Sequence, residues 1–256
     1  MAKSFIYDNI DFLNATVEDG TISGTNFSAS EVLTNEENIN DQNITSTVTS
    51  MGSGDSFRFA LPSADDATCC ALYYTGGNTT TFQLYGSNSA TSSLVDLGNI
   101  SGNVGASGSG WKATSFSNGT NYSYYFLDAL FAHSNLAECV LGKKLDFEVE
   151  PDIGKAEGRE YKVDIAESYS GLQYATQRTS GIRTWQFTWG NISSTFMTNL
   201  ENMRNDLDGP FKKFIYSEDG TTGPFYWVRM SEDSLMKTEV AHNRFSTSIK
   251  LIEQKN

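Results

Sequence analysis

At 256 residues the chain is long enough for one or two domains and for a core that needs no disulfides. Apolar residues make up 38% of it, and no run approaches the roughly 20 that a membrane-crossing helix requires, so a membrane-spanning chain is not expected. The 18 basic and 31 acidic residues leave a net charge of −13, and the basic residues cluster no further than Lys143-Lys144 and Lys212-Lys213, which argues against direct binding of nucleic acid.

The opening Met1–Asp8 holds one Lys and no apolar stretch, so no secretory signal is expected there. Residues 1–50 are polar, with Ile22, Phe27 and Val32 but no sustained period. They are expected to be an arm or peripheral strands of the first domain. Residues 51–145 read as short strands joined by polar turns. Phe57, Phe59 and Leu61 alternate with Ser56, Arg58 and Ala60; Leu72 and Tyr74 follow, then Phe82 and Leu84, and Tyr122 to Leu127 is a late aromatic strand. Period-two alternation bounded by Gly, Asn and Ser predicts half-buried antiparallel strands, and several of them without a strong helix predict a jelly-roll-like β-sandwich. The Gly/Ser run over 101–110 is expected to be a surface loop.

A boundary is placed between Gly142 and Val149, where the chemistry changes. Residues 1–145 hold five basic and fourteen acidic residues; residues 146–256 hold thirteen and seventeen. In the second part Trp185, Phe187 and Trp189 alternate with Thr184, Gln186 and Thr188, which predicts a strand with one aromatic face. Phe196, Leu200, Met203 and Leu207 then recur at helical spacing, so one amphipathic helix is expected over roughly 194–208. Ser193 or Ser194 can supply its N-cap oxygen, and Gly209-Pro210 is a stop signal. A strand over Phe211–Glu218, a turn at Asp219–Gly223, a return over Pro224–Met230 and a last hairpin turning at His242-Asn243 complete the chain. The expected fold is therefore mainly β: a sandwich, then an α+β module over 146–256 with an antiparallel sheet and one helix. Trp185, Phe187, Trp189, Phe196, Leu200, Met203, Leu207 and Phe211 are its expected core.

Residues suited to catalysis are sparse. His133 and His242 lie in no HExxH pattern and near no Cys pair. There is no Walker motif and no GxSxG. The acidic pairs Glu36-Glu37 and Asp65-Asp66 have the chemistry for glycoside hydrolysis or Ca²⁺ binding, but adjacent carboxylates rarely converge on one point. Cys69, Cys70 and Cys139 form no CxxC and no even set, so they read as buried free thiols, with Cys69 and Cys70 on opposite faces of a strand. Asn-x-Ser/Thr triplets such as Asn78-Thr79-Thr80 and Asn118-Gly119-Thr120 are expected by chance in so polar a chain. No enzyme activity, cofactor or metal is expected. Trp111, which follows the Gly/Ser run, could join Tyr122, Tyr124 and Tyr125 in a sugar-stacking surface or a subunit contact; ordinary packing at the sandwich edge is the plainer reading.

The order Arg183-Thr184-Trp185-Gln186-Phe187-Thr188-Trp189, helix, Gly209-Pro210-Phe211, Tyr216, Val228-Arg229 and Phe245-Ser246-Thr247-Ser248-Ile249-Lys250-Leu251-Ile252-Glu253 resembles the minor and distal tail proteins of tailed bacteriophages over roughly 150–253. The resemblance implies a virion structural protein: a ring-forming subunit of the tail tip or baseplate, with hexameric and trimeric order both open. Its partners would be copies of itself and tail proteins such as tube and hub, and it would be assembled in the bacterial host cytoplasm. The segment Phe57–Leu84 followed by Tyr85-Gly86-Ser87-Asn88 resembles a discoidin-type, galactose-binding-like sandwich, which implies a host-surface glycan as an alternative partner. A capsid decoration or connector role is a further alternative.

Overall fold

The computed structural model describes residues 3–254 apart from 31–32, 49–51, 76–80, 102–108, 131–135, 152–155, 162, 168–172, 178–180 and 233–234. In chain order the strands are β1 Ser4–Tyr7, β2 Thr16–Ser23, β3 Asn26–Ala29, β4 Asp55–Asp65, β5 Cys69–Tyr74, β6 Thr81–Ser87, β7 Val95–Ser101, β8 Gly110–Ser115, β9 Tyr122–Ala129 and β10 Leu136–Asp146. Then come β11 Ala156–Glu160, β12 Val163–Glu167, β13 Gln173–Gln177, β14 Ile182–Ser193, helix α1 Ser194–Asp206, β15 Phe214–Ser217, β16 Phe225–Met230, β17 Thr238–Ala241 and β18 Arg244–Glu253. The protein is mainly β, with antiparallel sheets and a single α-helix among the described residues, in keeping with the sequence reading. The chain divides into two compact units, Met1–Asp146 with Phe214–Phe225 and Phe147–Lys213 with Tyr226–Lys255.

The first unit is a two-sheet sandwich. One sheet has the order β3-β2-β4-β9-β6-β7; the other runs β15-β1-β10-β5-β8. Phe57, Phe59, Phe82, Leu84, Tyr125 and Leu127 from the first sheet meet Cys70, Leu72, Tyr74, Cys139 and Leu141 from the second in one buried cluster. These are the apolar members of the alternating patterns, so period two in the sequence becomes one inward face per sheet. Cys69 and Cys70 do point to opposite faces: only Cys70 belongs to this core, where its Sγ lies 3.8 Å from that of Cys139. All three cysteines are free and buried, and burial pushes the Cys69 thiol up to about 12.

Of the two expectations for residues 1–50, the described residues follow the peripheral strands in β2 and β3, which form one end of the six-stranded sheet. β1 lies between β10 and β15, and its four residues are all buried. A strand buried on both faces carries no alternation, which is why its pattern is silent in the sequence. Polar side chains fasten the rest of this segment. The Asp8 carboxylate accepts the amides of Ile10, Phe12 and Leu13, and the Asn40 amide donates to the carbonyls of Phe12 and Ala15. The loop expected over 101–110 lies largely outside the described residues.

In the second unit β14 pairs with β11 on one side and β18 on the other, and β16 and β17 pair with β18; β12 and β13 form a separate hairpin. Trp185, Phe187 and Trp189 are fully buried, as are Met197, Leu200 and Met203 of α1, with Phe196 nearly so. The Phe147 ring packs 5.5 Å from Phe187, 5.2 Å from Trp189 and 6.4 Å from Phe196, joining strand to helix. Ser193 caps the helix, its Oγ accepting the Phe196 amide at 3.1 Å. The other end is a Schellman closure: Gly209 N–H donates to Arg204 O and Asp208 N–H to Asn205 O, with Asp208 as well as Gly209 at positive φ.

That closure explains one departure from expectation. Phe211, placed in the core from sequence, is 74% exposed. After two left-handed residues the chain reverses and Lys212 turns inward instead. Its stem is buried, and its ammonium donates to Asp206 O at 3.1 Å beside the Asp208 carboxylate. The following strand accordingly begins at Phe214 rather than Phe211.

Candidate functional site

The four aromatics singled out in the sequence do not converge. Trp111 lies on β8 of the second sheet; Tyr122, Tyr124 and Tyr125 lie on β9 of the first. Trp111 is 6% exposed and packs 5.2 Å from the Tyr73 ring, whose position it faces across β5–β8. Tyr122 and Tyr125 are core residues in edge-to-face contact at 5.9 Å. Both belong to the inward cluster although three positions apart, and the Tyr122 ring lies over Gly86 of β6. The Tyr125 hydroxyl donates to Asp65 O and accepts the Ala67 amide, a structural clamp; burial pushes its phenol up to about 12. Trp111 and Tyr124 lie outside this core: Trp111 sits against Tyr73, and Tyr124 packs partly against Phe27, Leu94 and Phe126.

The carboxylate pairs are also committed. Asp65 Oδ1 accepts the Asp66 amide, and Asp66 pairs with Lys143 at 3.0 Å. Glu36 and Glu37 open a short 3-10 turn. His242 sits in the exposed turn before β18, beside Asn243, and His133 lies outside the described residues. Among the described residues no group of three or more His, Cys, Asp or Glu is placed to hold a metal ion.

A different set of residues does converge. The alternates of the core positions on β4, β9 and β6 occupy the outer face of the six-stranded sheet, and register aligns them in rows. Ser56 faces Asp128, Asp128 faces Gln83, and Gln83 faces Asn99, giving a polar row across β4, β9, β6 and β7. The next row is Glu18, Arg58, Phe126, Tyr85 and Asp96. Below it Tyr124 faces Ser87.

The two rows differ in how far they are tied down. Arg58 is tied down by several contacts: it pairs with Glu18, donates to Ala90 O at 2.9 Å, and lies over the rings of Phe27 and Tyr124 at 5.2 and 5.9 Å. Phe27, Leu94 and Phe126 form a small buried cluster there, with Tyr85 and Tyr124 packed partly against it. The segment 88–94 folds over this end through Phe27 N–H to Thr91 O and Leu94 N–H to Thr25 O. In the polar row Ser56 donates to Asp128 Oδ1 at 2.7 Å. Burial raises the Asp128 carboxyl; the Ser56 hydroxyl opposes that and the Asp55 charge adds to it. Gln83 and Tyr85 are half-buried, and Asn99 and Asp96 are exposed. Burial also raises the Tyr85 phenol, followed by the charges of Asp128 and Asp96, which flank it.

Chemically this face offers the exposed Asp96 carboxylate, the amides of Gln83 and Asn99, and the half-buried Tyr85 ring, beside the buried Ser56–Asp128 pair. That inventory can bind a hydroxyl-rich ligand; it has no nucleophile–base pair. The signal for it was in the sequence, since Ser56, Arg58, Gln83 and Tyr85 are the polar alternates of recognised strands. Which of them stand side by side depends on register, which alternation alone does not give.

In the second unit a hollow of about 200 Å³ is lined by Gln186, Ser248 and Lys250, with Met230, Met236 and Glu232. Met236 is 72% exposed and also lines a second, more open hollow with Thr188 and Ser246.

No family model matches the chain, and no curated protein matches it. Several solved structures are partly similar. A family 32 carbohydrate-binding module of C. perfringens NanJ, in complex with galactose, is 15% identical with a TM-score of 0.38, covering 54% of this chain and 98% of that one. The family 32 module of AlyQ, in complex with 4,5-unsaturated mannuronic acid, is 20% identical with a TM-score of 0.35, covering 50% and 96%. Chitosan-binding module 1 from a chitosanase/glucanase of Paenibacillus sp. IK-5 is 13% identical with a TM-score of 0.35, covering 52% and 98%.

Proposed function

We propose that the sandwich unit is a non-catalytic glycan-binding module. The observation that supports this is the outer-face row Ser56, Asp128, Gln83 and Asn99 beside the Tyr85 ring. Sugars are bound by side chains that accept and donate to hydroxyls and by rings that cover their C–H faces. With Ser56 and Asp128 buried, the part of the row open to a ligand is Gln83 and Asn99, one strand spacing of about 4.8 Å apart and beside the Tyr85 ring. A glycan array with the full chain, followed by calorimetry on its best ligand, tests the reading. Binding that is lost in Gln83→Ala supports it; a chain that retains no glycan at millimolar concentration is not such a module.

A second reading concerns the other unit: a ring-forming subunit of a bacteriophage tail tip, which would carry the sandwich as its attachment module and function in the virion. It is favoured by apolar side chains outside the core of that unit, Phe211 at 74%, Met236 at 72% and Val240 at 52% exposed, which suit contacts with neighbouring subunits. Electron microscopy of the purified protein tests it. Closed rings support the assembly role; a monomer at high concentration, absent from disrupted particles, speaks against it.

A further inference from the structure

We propose that the outer face of the β3-β2-β4-β9-β6-β7 sheet selects glycans that carry no acidic group and discriminates against uronates. This rests on the glycan-binding reading and specifies its ligand.

The argument is an inventory of charge. On this face the rows bring four charged side chains together: Glu18, Arg58, Asp128 and Asp96. Arg58 is the one cation among them, and it is already spent on Glu18, on Ala90 O and on two aromatic rings. With its side chain 12% exposed, it presents little of its charge to a ligand carboxylate. The remaining two charges are Asp128 and Asp96. Asp96 lies directly across from Tyr85, and Asp128 is its diagonal neighbour on β9. The pairings thus place both charges next to the ring that would cover a sugar.

A neutral sugar finds here the exposed Asp96 carboxylate as an acceptor for its hydroxyls, flanked by the Gln83 and Asn99 amides. The same sugar with a carboxylate at C6 meets two like charges and, among the described residues, no exposed cation on this face. At about 6 Å in a water-like dielectric each like charge weakens binding about threefold, so two weaken it about tenfold, and salt reduces the difference.

The test uses the full chain and a matched pair of probes: the neutral oligosaccharide that binds best on an array, and the same oligosaccharide oxidised at its primary alcohols to the uronate. Calorimetry at low and high salt is expected to show the uronate about tenfold weaker at low salt, with the gap narrowing at high salt. Asp96→Asn is expected to narrow the gap between the two probes about threefold at low salt. Asn99→Ala and Tyr85→Ala, checked for an unchanged unfolding profile, are expected to weaken the neutral ligand. If the uronate binds as tightly as the neutral probe, or Asp96→Asn leaves the gap unchanged, the selectivity is overturned while the glycan reading stands. If neutral binding survives both Asn99→Ala and Tyr85→Ala, the ligand lies elsewhere on the module. If no glycan binds, the parent reading fails and takes this inference with it.

Discussion

The two units are held together in different ways. The α+β unit has its largest side chains gathered at one place: Trp189, Phe187, Phe147 and Phe196 meet edge to face between β14 and α1. The sandwich spreads its core over many short strands, and at some crossings it depends on having no side chain at all. At Gly142 a Cβ would lie 2.0 Å from the Tyr7 carbonyl oxygen, and at Gly86 it would lie 2.3 Å from the Tyr122 ring. One unit is therefore sensitive to lost volume and the other to added volume, a difference that substitutions can break or sharpen.

The largest effect is expected from Trp189→Ala. It removes a fully buried indole whose Nε1 also donates to Val149 O at 3.2 Å. Large-to-small changes of this kind cost about 3–5 kcal/mol. Hydrogen exchange should show the loss concentrated in β14 and α1, with the β4, β6 and β9 amides keeping their protection. Equal loss in both units would break the distinction.

Next comes Gly142→Ala, the smallest possible addition. The new methyl meets backbone, which cannot rotate away, so β1 must separate from β10. A cost of about 2–3 kcal/mol is expected, at the upper end for overpacking. Denaturant unfolding measures it, and exchange in Ser4–Tyr7 should rise first. A loss below about 0.5 kcal/mol would mean that β1 shifts freely and that close approach does not hold this sheet.

The same difference explains what the sequence discloses. The α+β unit is punctuated: an aromatic alternation, a Ser cap, a helical spacing and a Gly-Pro stop all act locally, and each has its counterpart in β14, Ser193, α1 and the Schellman closure. The closure holds one left-handed residue more than the Gly209-Pro210 stop signal discloses, because Asp208 joins Gly209 at positive φ. The extra left-handed step sends Phe211 out and Lys212 in. In the sandwich, β4, β6 and β9 were visible through alternation. β1 was not, since a strand buried on both faces has no period. The outer-face row lay further out of reach. Each of its members is an ordinary polar residue in its own strand, and they become neighbours only through the pairings of β4 with β9, β9 with β6 and β6 with β7. Trp111 failed as a marker for the opposite reason: a Gly/Ser run before it suggests exposure, but its strand pairing places it against Tyr73.

The smallest expected effect tests whether the outer face is arranged for stability or for a ligand. Asp128 is a buried carboxylate whose pKa is raised, first by burial. In the folded chain it therefore holds its proton more tightly than in the unfolded chain, where it titrates at the ordinary carboxylate value. Below that ordinary value it is protonated in both states and costs nothing. As pH rises through the window between the ordinary value and the raised folded one, the folded state comes to carry an ionised group that burial disfavours, and stability falls; above the window the cost is complete. Asp128→Asn keeps an oxygen for the Ser56 hydroxyl at the same place. The variant should thus melt at or above the parent at neutral pH, and the difference should vanish in acid, below the ordinary carboxylate value. Melting curves across that range decide it. A variant less stable at neutral pH would mean that the carboxylate is a structural member of the sheet, stabilised by Ser56 beyond what burial takes away. A variant at least as stable would mean that the fold does not need this charge, which leaves recognition at the outer face as the reason for a carboxylate there.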